Sequence, residues 1–171
     1  YNEASYKLKI CILLASRQSL RRGEIAALKY GDIVGNELHI HSDIVKAPDG
    51  SWVHKEYPKT PQSVRTAYLT DAELKLIGRG FPDEYIVKLT PSSIGTNFYH
   101  LKHRLGLGHI RFHDLRHSFA AISLQNGDDI KTVSENLGHA TVAFTLDVYG
   151  HVTDKMKKDS ADRMQAYINS L

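Results

Sequence analysis

Apolar residues recur at helical spacing over residues 3–18, where Tyr6, Ile10, Leu13 and Leu14 fall on one side. A second short helix, GEIAALK, follows Arg21 and Arg22. Between residues 33 and 69 the pattern changes to β-branched and aromatic residues broken by turn signals, Gly35-Asn36 and Pro48-Asp49-Gly50. Strands are predicted near 37–46, 51–57 and 64–69, with YPKTPQS as the turn between the last two. From Thr70 the chain reads as helical again, and Thr70-Asp-Ala-Glu73 has capping-box spacing. YIVKL, residues 85–89, reads as an extended connector. Helices are predicted at 92–105, 113–126, 129–137, 141–149 and 154–168, with Gly127 and Gly138 as stops. The fold class is therefore mainly α with a small three-stranded antiparallel β-sheet (α+β). Residues 1–171 read as a single domain, with 151–171 a C-terminal tail helix.

Composition narrows the class without choosing a function. The 171 residues are 42% hydrophobic and 24% charged, as in an ordinary globular protein. A formal charge of +3 permits nucleic-acid binding but does not require it, so a local cluster must carry that argument. The single cysteine, Cys11, lies in an apolar run, which excludes an internal disulfide framework and fits a buried small hydrophobe. No stretch approaches the length of a membrane span, and no secretory signal is visible at the start. The chain begins at Tyr1 rather than Met, which suggests a piece of a longer protein.

The segment RFHDLRHSFAA, residues 111–121, is chemically unusual. On a helix, His113, Arg116 and His117 project from one face, and Leu115, Phe119 and Ile122 from the other. With Arg111 just ahead, cationic groups crowd a helix N-terminus, where the macrodipole is already positive. Three readings are open: a polar edge of a core helix, a metal pair at His-x-x-x-His spacing, or a phosphate site. Arg116 beside a dication would be repulsive, and position 114 holds Asp rather than a general-base Glu. A phosphate suits bidentate arginine, imidazole and backbone donors together.

Further along the chain lie SLRRGEIAAL (19–28), PKTPQSVR (58–65) and NLGHATVAFTLDVYGHV (136–152). Each alone has an unremarkable reading: a surface arginine pair, a solvated turn lysine, a core tyrosine. Taken in order, Arg-x-Gly-Glu, Lys-Thr, His-x-x-Arg-His, Leu-Gly-His and a tyrosine ten residues on resemble the catalytic domain of tyrosine recombinases, the phage integrase family. The resemblance runs from about residue 5 to residue 155.

The resemblance implies catalytic roles for Arg21, Lys59, His113, Arg116, His139 and Tyr149, with Glu24 and His117 in support. Many members carry Thr-Gly where this chain has Gln18-Ser19, a departure that touches the turn before Arg21. The implied reaction is site-specific DNA recombination through a 3′-phosphotyrosyl intermediate. Tyr149 would attack phosphorus, Arg21 and Arg116 would hold the nonbridging oxygens, and Lys59 would protonate the departing 5′ oxygen. Which histidine is the base stays open. No metal and no cofactor are implied, because two guanidinium groups supply the charge that metal ions supply in nucleases. The alternatives are a type IB topoisomerase and a DNA-binding relative that does not cut. The expected partner is double-stranded DNA, with no membrane. The full-length protein would form a homotetramer on DNA and this fragment a monomer, in the cytoplasm of a bacterial or phage-host cell. Nothing in the sequence corresponds to the family's N-terminal core-binding and arm-binding domains.

Overall fold

The computed structural model describes residues 3–56, 64–138 and 141–170; for 3–5, 144 and 147–157 it describes the backbone only. Lys59 and His139 therefore lie outside the described residues, and so does the side chain of Tyr149.

Helix α1 (Glu3–Arg17) is the central rod. Its inward face carries Leu8, Ile10, Cys11, Leu14 and Ala15, all buried, while Leu13 is half-buried and Tyr6 reaches solvent. Burial pushes the Cys11 thiol up to about 12, which makes it an inert packing group. The short helix α2 (Arg22–Ala27) follows a tight turn. In that turn Ser19 adopts a left-handed backbone, φ 57°, and is fully buried. Glycine would take that conformation without strain.

The strands divide differently from the sequence expectation. The stretch 37–46 breaks at His41-Ser42 into two strands, and an extra strand precedes it. Strands β1 (Ile33–Val34), β2 (Glu37–Ile40) and β5 (Arg65–Tyr68) form one antiparallel sheet in the order β1-β2-β5. Strands β3 (Asp43–Lys46) and β4 (Trp52–Lys55) form a separate antiparallel pair. Leu38 and Ile40 point into the core, and register places them opposite Ala67 and Arg65. The β3–β4 pair lies against α2 at Gly23. A Cβ there would sit 1.7 Å from Asp43 Oδ1 and 2.8 Å from the Ile44 carbonyl oxygen. The glycine of Arg-x-Gly-Glu is thus needed for close backbone approach.

Helix α3 (Asp71–Ile77) starts at Thr70, whose hydroxyl accepts from the Glu73 amide while Glu73 accepts from the Thr70 amide, the capping box read from the sequence. Helix α4 (Pro91–Arg104) is capped by Thr90 and has proline in its first turn. Tyr85 makes an isolated antiparallel bridge with Lys29, which is the extended connector expected there. Helices α5 (Phe112–Gln125) and α6 (Ile130–Leu137) follow, the latter stopped by Gly138 at φ 58°, ψ 43°.

Helix α7 runs without a break from Val142 to Ile168. The two helices expected at 141–149 and 154–168 are one, so residues 151–168 continue the helix that bears position 149 rather than forming a separate tail helix. No proline interrupts this stretch, and Gly150 falls inside a helix already nucleated on both sides. Residues 158–170 are exposed apart from half-buried Asp159.

Among the described residues, two apolar clusters hold the fold. The larger joins α1, α2, β2, α3 and α4 and ends at Phe112. The smaller consists of Ala120, Leu124, Val133 and Leu137, between α5 and α6. The inward face of α5 is Phe112, Arg116, Ala120, Ser123 and Leu124. This corrects the sequence reading of that helix. Arg116 lies on the buried side, one turn after Phe112 and one turn before Ala120, at the seam between the clusters. Ile122 faces solvent at 55% exposure, and Leu115 and Phe119 are only partly buried. A guanidinium can occupy this seam because backbone carbonyls meet it there.

Candidate active site

Those carbonyls belong to the end of α6. A helix leaves its last carbonyls without intrahelical partners, and they carry partial negative charge. Three arginines meet three successive carbonyls. Arg65 Nε donates to the Asn136 oxygen at 2.9 Å, Arg116 Nη2 donates to that of Leu137, and Arg21 Nη2 donates to that of Gly138 at 3.0 Å. Arg116 also donates through Nη1 to the Ser19 carbonyl at 2.5 Å, and the Ser19 hydroxyl donates to the Asn136 oxygen at 2.6 Å. Arg21 and Arg116, distant in sequence, thus meet on one helix end, the former binding Gly138 across 117 positions. His139 follows directly in sequence.

Glu24 organises the other side. It is 2% exposed, and its carboxylate accepts from Arg65 Nη1 and Nη2, both at 3.0 Å, and from Arg21 Nη1 at 2.8 Å. It also accepts from the Arg21 amide at 2.7 Å, which satisfies a donor at the start of α2. Burial alone would raise the Glu24 pKa. The charge of Arg65, its hydrogen bonds and the charge of Arg21 outweigh that and hold it at about 2. Arg116 is 3% exposed, whereas the Arg21 side chain keeps 34% of its surface open.

His113 stands at the rim, partly open to solvent, with its ring perpendicular to that of His117 at 4.7 Å between centroids. Partial burial, then His117, Arg116 and Arg21 in that order, hold the His113 imidazole below its ordinary value, against an opposing pull from Asp114. The neutral ring is therefore the dominant form at neutral pH, and a neutral imidazole can accept a proton. Among the described residues no group of three His, Cys, Asp or Glu side chains is placed to hold a metal ion.

The crowding of cations at the start of α5 is resolved in part within the chain. Arg111 turns back onto Asp114, with Nη2 to Oδ1 at 2.9 Å and its amide to Oδ2 at 2.8 Å. Arg116 turns inward to α6. Of the residues named from sequence, the structure brings together Arg21, Glu24, His113, Arg116 and His117. Position 149 lies in the second turn of α7, which packs on α5 and α6, four residues after fully buried Thr145. By helical period the two positions share a face.

Sequence reasoning missed Arg65 and the carbonyl end of α6. One signal was available for Arg65. A glutamate in the short apolar run Glu24-Ile-Ala-Ala27 must be buried, and Arg21, at the surface end of the helix, is not enough to balance it.

A mainly helical domain that gathers arginines from its first turn and its third-last helix around one helix end defines a class of fold, and the comparisons agree. The phage integrase family model matches residues 1–156, and the chain belongs to this family. It is 32% identical over 169 residues to the ICEBs1 integrase of Bacillus subtilis (strain 168), covering 85% of this chain and 45% of that protein. It is 28% identical over 195 residues to a XerC-like tyrosine recombinase of Caldanaerobacter subterraneus subsp. tengcongensis, covering 93% and 49%. The chain spans about half the length of these curated relatives. Among solved structures, the Tn1549 transposon integrase in complex with circular intermediate DNA superposes with a TM-score of 0.73 at 19% identity, over 92% of this chain and 59% of that one. XerA recombinase gives 0.63 at 20% identity, over 92% and 62%. At these identities the structural likeness speaks for the fold.

Proposed function

We propose that this chain is the strand-cleaving part of a site-specific DNA recombinase of a phage or mobile element, acting through Tyr149. The phenol oxygen bonds to phosphorus, the bond from phosphorus to the 5′ oxygen breaks, and the departing oxygen takes a proton. A phenol is mostly protonated at neutral pH. His113, held neutral, is the acceptor assigned to its proton, and Lys59 is the donor assigned to the leaving oxygen. Arg21 and Arg116 are the donors assigned to the nonbridging oxygens, each such donor contributing about 3 kcal/mol in the transition state. His139 hydrogen-bonds the phosphate, while Glu24 and His117 support the arrangement. The bond to tyrosine keeps the phosphodiester energy, so rejoining needs no nucleotide.

The observation that carries the reading is the meeting of Arg21 and Arg116 on the last carbonyls of α6, with His113 inside their field. A cleft of about 610 Å³ opens beside it, lined by Arg22, Ser92, Thr96, Lys102, Arg111 and His113 among others. The cations and hydroxyls of this lining suit a phosphate backbone, and they would make DNA affinity steeply salt-dependent. Relatives named as integrases and tyrosine recombinases, and neighbours solved on DNA, support the same partner. The exposed end of α7 bears Met164, Tyr167 and Ile168 at i, i+3 and i+4. This stripe would dock on a neighbouring protomer of a DNA-bound tetramer. No helix among the described residues is long and apolar enough to cross a membrane, which fits an enzyme acting on DNA in the cytoplasm of a bacterial or phage-host cell.

The test is covalent capture. The purified chain is incubated with a pool of nicked duplexes of randomised sequence, in which the cleaved end diffuses away. Denaturation-resistant complexes are recovered and the modified peptide is sequenced by mass spectrometry. The nucleotide should be found on Tyr149, and Tyr149→Phe should bind DNA but give no adduct. An adduct on another residue, or one that survives in the Phe variant, would refute the assignment.

A further inference from the structure

Arg65 takes no part in the reaction as written, yet its guanidinium joins the pieces that hold Arg21. Its two Nη atoms form a fork with the two carboxylate oxygens of Glu24, both at 3.0 Å, and its Nε reaches the Asn136 carbonyl at 2.9 Å. Glu24 in turn holds Arg21 at both the guanidinium and the amide, and Arg21 Nη2 binds the Gly138 carbonyl. The path Arg65–Glu24–Arg21–Gly138 closes through the backbone to Asn136 and returns to Arg65. The Arg65 side chain is 8% exposed and all three of its guanidinium nitrogens are engaged by Glu24 and Asn136, whereas that of Arg21 is 34% exposed. Position also matters: Arg65 opens β5, six residues after Lys59 in sequence.

We propose that Arg65 is a positioning residue for strand cleavage, fixing the Arg21 guanidinium against the scissile phosphate by clamping Glu24 to the end of α6. The proposal rests on the strand-cleavage reading above. A guanidinium suits the task because its planar fork and its Nε bond three acceptors at once in fixed geometry. The ammonium of a lysine can approach the carboxylate but cannot keep that fork and the Asn136 bond together. The competing view is that Arg65 only neutralises a buried carboxylate. The two views differ in which substrate feels its loss. If Arg65 acts through Arg21, its removal matters most where Arg21 has a charged oxygen to stabilise. If it serves the fold alone, every substrate suffers equally.

The experiment compares Arg65→Gln with the parent in single-turnover adduct formation on the duplex captured above. The scissile linkage is either an ordinary phosphodiester or one of the two methylphosphonate isomers, each lacking one nonbridging oxygen. On the diester the variant should be slower by about 30-fold, within the range for a misplaced positioning contact. On one methylphosphonate isomer the deficit should shrink to about 3-fold or less, because the oxygen that Arg21 would serve is gone. A deficit of equal size on all three substrates, or none on the diester, would overturn the proposal. Circular dichroism at the assay temperature establishes that the variant is folded. If it is not, Arg65→Lys decides, with an expected loss of about 10-fold that shrinks in the same way. Absence of any adduct from the parent would overturn the cleavage reading itself. An active parent with an unaffected Arg65 variant would overturn only this inference.

Discussion

Glu24→Gln tests the electrostatic arrangement most sharply. The substitution keeps the shape and removes the charge from a carboxylate that is 2% exposed and shared by Arg65 and Arg21. The fall of its pKa from 4.5 to about 2 corresponds to a loss of about 3 kcal/mol when the group is neutral. Breaking a buried ion pair by removing one partner gives a similar magnitude, about 3–5 kcal/mol. The sign with pH follows from the direction of the shift. A carboxylate whose folded pKa is depressed contributes its stability fully above its unfolded value of about 4.5 and loses it as pH falls toward about 2. Urea unfolding of parent and variant should therefore show a gap of about 3 kcal/mol at pH 7, about half that near pH 3, and almost none at lower pH. A gap under about 1 kcal/mol at pH 7 would refute the reasoning, and so would a gap that does not change with pH.

Two other perturbations address the turn before Arg21 and the proposed role of His113. Ser19→Gly relieves a left-handed backbone but loses the hydroxyl bond to Asn136, and the two effects, about 1 kcal/mol each, should nearly cancel in thermal unfolding. Ser19→Val loses the bond and worsens the strain, so it should be less stable by about 2–3 kcal/mol; equal instability of the Gly and Val variants would contradict this account of the turn. For His113, the depressed pKa predicts that kcat/KM for adduct formation rises with pH and levels off at a midpoint below the ordinary imidazole value. That limb should vanish in His113→Gln. A midpoint above the ordinary value in the parent would contradict the cause assigned.

Much of the fold was legible because its signals are local. Thr70 and Glu73 announce a cap, Gly138 a stop, and the apolar run around Cys11 a buried helix, and each decides its own few residues. The division of the strands was not legible. Whether 37–46 continues as one strand or breaks at His41-Ser42 depends on the docking of β3 against Gly23, a contact between distant segments. The merging of two expected helices into α7 depends likewise on packing against α5 and α6. At the site, residue types and order pointed to Arg21, Glu24, His113 and Arg116, since charge and imidazole chemistry are visible in letters. The partners of those arginines were not, because backbone carbonyls at a helix end belong to every sequence alike. For the same reason Arg116 was read as facing outward: an arginine on a buried stripe makes sense only once its acceptors are known. The exposure of Ile122 is the other half of that same rotation.

The central claim is that Arg21, Arg116 and Tyr149 serve a single phosphate. A crystal structure of the chain on its captured duplex, with vanadate in place of the scissile phosphate, tests it most directly. The account predicts the Tyr149 oxygen bonded to or within about 3 Å of vanadium, and guanidinium nitrogens of Arg21 and Arg116 each at about 3 Å from its equatorial oxygens. A vanadate seated among those arginines with the phenol of Tyr149 about 10 Å or more away, and another side chain in its place, would contradict it.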